Sequence, residues 1–149
     1  MRFLAASLLL LSVSAMACPD LSGSYPVCRS TTGDSSGSKD MIITQKADRG
    51  ITTYTMSFVD EETQEAETET LIADGKTRSE TAETEMGTLT ATVNVVCSGD
   101  ALISKMAISI AGEELAAINN TMTKSGKTLV QDITGHLFNE QMKEYLICE

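Results

Sequence analysis

Along most of this chain apolar side chains recur at every second position, not every third or fourth. In Ile51-Thr52-Thr53-Tyr54-Thr55-Met56-Ser57-Phe58-Val59, the residues Tyr54, Met56 and Phe58 fall on one face and Thr53, Thr55 and Ser57 on the other. Leu89, Ala91, Val93, Val95 and Cys97 alternate with Thr90, Thr92 and Asn94 in the same way, and Leu102, Ser104, Met106, Ile108 and Ile110 continue the pattern. Such half-apolar, Thr- and Val-rich runs suit a pleated sheet with one buried face. They predict strands over approximately 21–28, 40–47, 51–59, 65–73, 76–84, 88–97, 101–110, 114–123, 127–137 and 143–148. One helical turn is expected near Asn139 to Met142.

The segments between these runs are short and of hairpin type: Asp48-Arg49-Gly50, Asp74-Gly75, Ser98-Gly99-Asp100, Ala111-Gly112 and Ser125-Gly126. Only Arg29 to Lys39, rich in Gly and Ser, is long enough to be a loop at a mouth. Consecutive hairpins without a long crossover favour an all-β, antiparallel up-and-down barrel of about ten strands over a Greek-key sandwich. Ten strands enclose more than the side chains of an eight-stranded barrel fill, so a cavity is expected. Its inward face is read as Tyr54, Met56, Phe58, Val93, Val95, Met106, Ile108 and Ile110.

Two strands depart from the pattern. Glu65 to Leu71 and Lys76 to Glu85 are polar on both faces, and they are expected to pair with each other and to project from the core or line a wet section of it. The carboxylates at Asp60, Glu61, Glu62, Glu65, Glu67 and Glu69 read as a solvated acidic hairpin.

The N-terminus sets the compartment. Arg2, the apolar run Phe3 to Val13 and Ala15-Met16-Ala17 form the three parts of a secretory signal, giving a leader over 1–17 and one domain over 18–149 in a secreted or periplasmic protein. Cys18 at the cleavage point also raises a lipoprotein signal, the one route by which a membrane is expected to be involved. Otherwise Cys18, Cys28, Cys97 and Cys148 are expected to form disulfides. A closed meander brings the start of the first strand beside the end of the tenth, so Cys18 with Cys148 is the first expectation and Cys28 with Cys148 the alternative.

The 149 residues carry 21 acidic against 11 basic side chains, a net charge of −10 that argues against a nucleic-acid surface. No catalytic set assembles. Gly33-Asp34-Ser35-Ser36-Gly37 looks like a serine-nucleophile loop, but His136, the only histidine, lies a hundred residues downstream and reads as a strand-end residue. Asp34-Ser35-Ser36-Gly37-Ser38 spells an oxygen-rich cation motif without the α/β sheet it needs. Ser125-Gly126-Lys127-Thr128 is a hairpin turn, since no earlier glycine or following helix makes it a phosphate loop. Neither metal nor cofactor is implied.

At the first strand, Leu21-Ser22-Gly23-Ser24-Tyr25 resembles the Gly-x-Trp opening of lipocalins and avidin-like proteins, with Tyr25 in the Trp position. The stretch from Cys18 to Cys28 is also similar to a class of short secreted bacterial proteins. The resemblance implies a calycin-type barrel that binds a small ligand. From the residues themselves, an exported, non-enzymatic barrel holding a small apolar ligand is expected. The alternative is a protein-interaction module using the Arg29 to Lys39 loop and the acidic Asp60 to Glu69 hairpin.

Overall fold

The computed structural model describes residues 17–32, 38–60 and 62–149. Ten strands appear: β1 (Gly23–Ser30), β2 (Ser38–Asp48), β3 (Ile51–Asp60), β4 (Ala66–Ala73), β5 (Thr77–Thr84), β6 (Gly87–Ser98), β7 (Ala101–Ile110), β8 (Glu113–Ser125), β9 (Thr128–Leu137) and β10 (Glu140–Cys148). No helix occurs among the described residues, and the expected helical turn at 139–142 is replaced by a tight turn. Phe138 adopts φ 54° there, so β10 begins at once at Glu140. The expected leader lies outside the described residues except for Ala17, and so do residues 33–37 of the expected mouth loop. Arg29 and Lys39 themselves belong to β1 and β2.

The strands form one antiparallel sheet in the order β4-β3-β2-β1-β10-β9-β8-β7-β6-β5, curled into a half-barrel. The first and last strands pair, as expected from a closed meander. The break lies elsewhere. β4 and β5 occupy the two edges of the sheet and make no ladder with each other, which corrects the expected Glu65–Glu85 hairpin. The turn between them explains why. Gly75 N–H donates to the Val95 carbonyl (3.0 Å) and Asn94 Nδ2 donates to the Gly75 carbonyl (2.8 Å), so the connection is anchored on β6. Arg78 closes the turn with a two-pronged contact to Asp74, Nη1 at 3.1 Å and Nη2 at 2.8 Å. β4 therefore swings inward beside β6 while every residue of β5 stays exposed. A strand pair polar on both faces has no apolar area to gain by staying together.

Pairing register shows which side chains point inward, because directly opposed residues of an antiparallel pair share a face. Tyr54, Met56 and Phe58 of β3 lie opposite Leu71, Glu69 and Glu67 of β4. Val93 and Val95 of β6 lie opposite Met106 and Ser104 of β7, and Ala91 and Leu89 opposite Ile108 and Ile110. All eight residues of the expected inward face therefore share the concave side.

One end of the half-barrel is closed by the segment that precedes β1. Leu21 inserts among Tyr25, Ile43, Tyr54, Leu102, Met122 and Leu129, all essentially without solvent exposure. Tyr25 folds back over Gly23, where a Cβ would sit 3.1 Å from the phenol oxygen, and its hydroxyl donates to the Leu21 carbonyl at 2.8 Å. The Tyr54 hydroxyl donates to the Pro19 carbonyl at 2.6 Å, and Lys124 Nζ donates to the Ser22 carbonyl. Buried phenols need such partners. Further along, β9 approaches β8 so closely at Gly135 that a Cβ there would stand 2.0 Å from the Ala117 carbonyl oxygen; a side-chain-free residue makes this bend possible.

Two disulfides close the fold, and they correct the first expectation of Cys18 with Cys148. Cys28 bonds Cys148 (Cα–Cα 4.0 Å) and Cys18 bonds Cys97 (Cα–Cα 5.1 Å). The error was one of stagger. β1 meets β10 only through Cys28↔Cys148, Arg29↔Ile147 and Ser30↔Leu146, with Val27 and Glu149 exchanging hydrogen bonds beyond them. The first residues of β1 thus run past the end of β10, and Cys18 crosses the closed end to reach β6. Two disulfides place the chain in an oxidising, extracytoplasmic environment. No helix among the described residues is long and apolar enough to cross a membrane.

Candidate functional site

Above the closed end the concave face changes character. On β4 the inward residues run Leu71, Glu69, Glu67, on β8 Met122, Asn120, Ile118, and on β9 Leu129, Gln131, Ile133. Moving away from Leu21, buried aliphatic side chains give way to carboxylates, amides and partly exposed apolar groups.

Three adjoining cavities occupy this open half, and Glu69 lines all of them. One of about 140 Å³ lies between Glu69, Leu71, Val93, Met106, Ile118 and Ile133. A second, of about 200 Å³, reaches Met41, Met56, Phe58, Asn120 and Gln131. The third, of about 240 Å³, is the crevice where β4 stands off from β5 and β6, bounded by Leu71, Ile72, Arg78, Glu80, Ala91, Val93 and Val95. Together they form a trough open along the unpaired edges.

The expected inward residues divide accordingly. Met56, Phe58, Val93, Val95 and Met106 line the trough, Tyr54 belongs to the closed end, and Ile108 and Ile110 continue the β7 wall above the cavities, partly exposed. Glu67, Glu69, Ile118, Asn120, Gln131 and Ile133 were missed. Glu65-x-Glu67-x-Glu69-x-Leu71 did carry the signal: residues of one parity share a face, and Leu71 ties that face to the core.

Electrostatically the trough is one-sided. Asp60 is occupied by its own turn, where Oδ1 accepts from Thr63 N (2.7 Å) and Glu62 N (2.9 Å), and these bonds hold its carboxyl below the usual range. Asp74 is held down in the same direction by Arg78. Glu69 has no such partner. It keeps contact with water, yet desolvation by the walls, with Glu67 adding like charge, raises its carboxyl above the ordinary range. Asn120 Nδ2 donates to Gln131 Oε1 (3.1 Å), leaving Asn120 Oδ1 buried without a partner.

Elsewhere the residues weighed for chemistry stay apart. His136 Nε2 lies 3.2 Å from Glu114 Oε1 near the end of β9, and the Gly33–Gly37 motif lies outside the described residues. No group of His, Cys, Asp and Glu side chains suited to a metal occurs among the described residues.

Comparison with family models, curated proteins and solved structures finds no match. The ten-strand half-barrel is compatible with a barrel fold, and Tyr25 lies buried at its closed end.

Proposed function

We propose that this protein is an exported binding protein whose trough holds a small apolar ligand, with no catalytic step. One observation supports the reading above others: the apolar groups Phe58, Val93, Met106, Ile118 and Ile133 turn toward the concave side yet remain only partly covered, round cavities open at the β4 and β5 edges. Pockets of this kind, mostly apolar with a few convergent polar groups, are the usual form of small-molecule sites. Met41, Met56 and Met106 add a deformable lining that adapts to a flexible chain. Native mass spectrometry with dodecanol tests it. A one-to-one complex is expected, lost in Met106→Glu; no complex with the native protein would overturn the reading.

A second reading, a protein-interaction module, is favoured by the edge position and complete exposure of β5, which leaves a row of backbone groups free to pair with an incoming strand. Replacing Thr81 by Pro would remove such pairing and leave dodecanol binding intact.

A further inference from the structure

The two walls of the trough differ in chemistry, and the difference selects a ligand. The β6–β9 wall presents Val93, Met106, Ile118 and Ile133, and the lip above it carries Met86 (73% exposed) at the β5–β6 turn and Phe138 (63% exposed) at the β9–β10 turn. The β4 wall opposite presents Glu67 and Glu69, below a lip bearing Glu62 and Glu65. Neither Glu67 nor Glu69 has an ion-pair partner among the described residues. The one cation lining the crevice beside Glu69, Arg78, is already bound at both ends of its fork to Asp74. The trough therefore has an apolar side on β6–β9 and an anionic side on β4, with Glu80 of β5 and Glu144 of β10 at its margins.

Resting on the trough being a ligand site, we infer that its ligand is a cationic amphiphile, with the apolar part against Val93, Met106, Ile118 and Ile133 and an ammonium-type group against Glu67 and Glu69. Glu69 lines all three cavities with Glu67 on the same face of β4, so a cation placed there is attracted by both carboxylates. The unpartnered Asn120 Oδ1, on the wall of the same cavities, is one further acceptor for an N–H of that group. An anionic head in this place meets the carboxylates of Glu67 and Glu69, and among the described residues lining the cavities the one cation, Arg78, is taken by Asp74.

Three probes of equal chain length, dodecylammonium, dodecanol and dodecanoate, each below its micellar range, test the inference by calorimetry or native mass spectrometry on the intact disulfide-bonded protein. Dodecylammonium is expected to bind about tenfold more tightly than dodecanol, and dodecanoate least. In Glu67→Gln/Glu69→Gln the cationic preference should disappear while dodecanol affinity holds. The charge-matched Asp48→Asn/Glu83→Gln, remote from or facing away from the trough, should keep it, which separates the site from the general attraction of an acidic protein. Equal binding of all three probes, or a preference surviving in Glu67→Gln/Glu69→Gln, overturns this inference and leaves the apolar-ligand reading standing. No binding by any of the three removes both.

Discussion

The closed and open ends of the half-barrel are built by the same strands with the same alternation, yet one is dry and the other wet. At the closed end the inward residues are Tyr25, Ile43, Tyr54, Leu102, Met122 and Leu129, capped by Leu21 and tied by Cys18–Cys97. Two residues further along β8 and β9 the same face carries Asn120 and Gln131, and on β4 buried Leu71 gives way to Glu69. A period of two decides which side of the sheet a residue takes. How deeply it is buried depends on what covers that side, and among the described residues the Cys18–Ser22 segment covers the closed end.

The largest effect should come from the bridges, which join β1–β4 to β5–β10 across the weakest parts of the sheet. They span 79 and 120 residues, and in the chain-entropy model loops of this order contribute about 4–5 kcal/mol each. Cys28→Ala/Cys148→Ala should lower the thermal midpoint strongly, because the β1–β10 seam has few other pairs. Cys18→Ala/Cys97→Ala should instead loosen the closed end first, seen as quenchable Tyr25 and Tyr54 fluorescence before global unfolding. The same order of loss for both variants would mean that the two ends do not act separately. Next in size, Met122→Ala at the closed end is expected to cost about 2–5 kcal/mol and Met106→Ala in the trough well below that, since a partly exposed side chain leaves no sealed cavity. Chemical denaturation of the two variants checks it.

Much of this contrast was legible in the sequence and part was not. Strand positions followed from Tyr54-x-Met56-x-Phe58 and its counterparts because inward and outward environments differ sharply there. The polar character of 65–85 marked β5, which is exposed throughout, whereas Leu71 of β4 belongs to the core. What alternation could not supply was pairing: whether Glu69 faces Glu80 or Met56 depends on where Gly75 finds hydrogen-bond partners, and those partners, Asn94 and Val95, lie some 20 residues on. The disulfides were misassigned for a related reason. Stagger between β1 and β10 is a property of barrel curvature, and no local pattern records it.

Hydrogen exchange should display the same division. Amides of β5, with one neighbouring strand and no buried side chain, are expected to exchange through local opening, while those of β7 near Leu102 should exchange only with global unfolding. At the closed end, burial, with the Asp20 charge as a smaller cause, pushes the Tyr54 phenol up to about 12. The native state then holds that proton more tightly than the unfolded chain does. The associated stability is complete below pH 10, the ordinary phenol value, and is lost as pH rises from there through about 12. Tyr54→Phe should cost about 1 kcal/mol at neutral pH, from the lost bond to Pro19, and should flatten the alkaline decline.

The smallest effect belongs to the open end and has its own pH signature. Glu69 has its carboxyl raised above 4.5, first by desolvation and then by Glu67, so the folded protein binds that proton more tightly than the unfolded chain. Stability from this source is complete below the ordinary glutamate range and is lost as pH rises through the raised value. At neutral pH the Glu69 charge is therefore a burden on the fold, and Glu69→Gln should raise the thermal midpoint slightly. Because the side chain keeps contact with water, screening limits the gain to well under about 1 kcal/mol. At pH 4, where the native side chain is largely protonated, the variant and the parent should melt together. Thermal scans at the two pH values decide the point: a gain from Glu69→Gln as large at pH 4 as at pH 7 would mean that the substitution acts through packing, and the trough would lose its electrostatic distinction from the closed end.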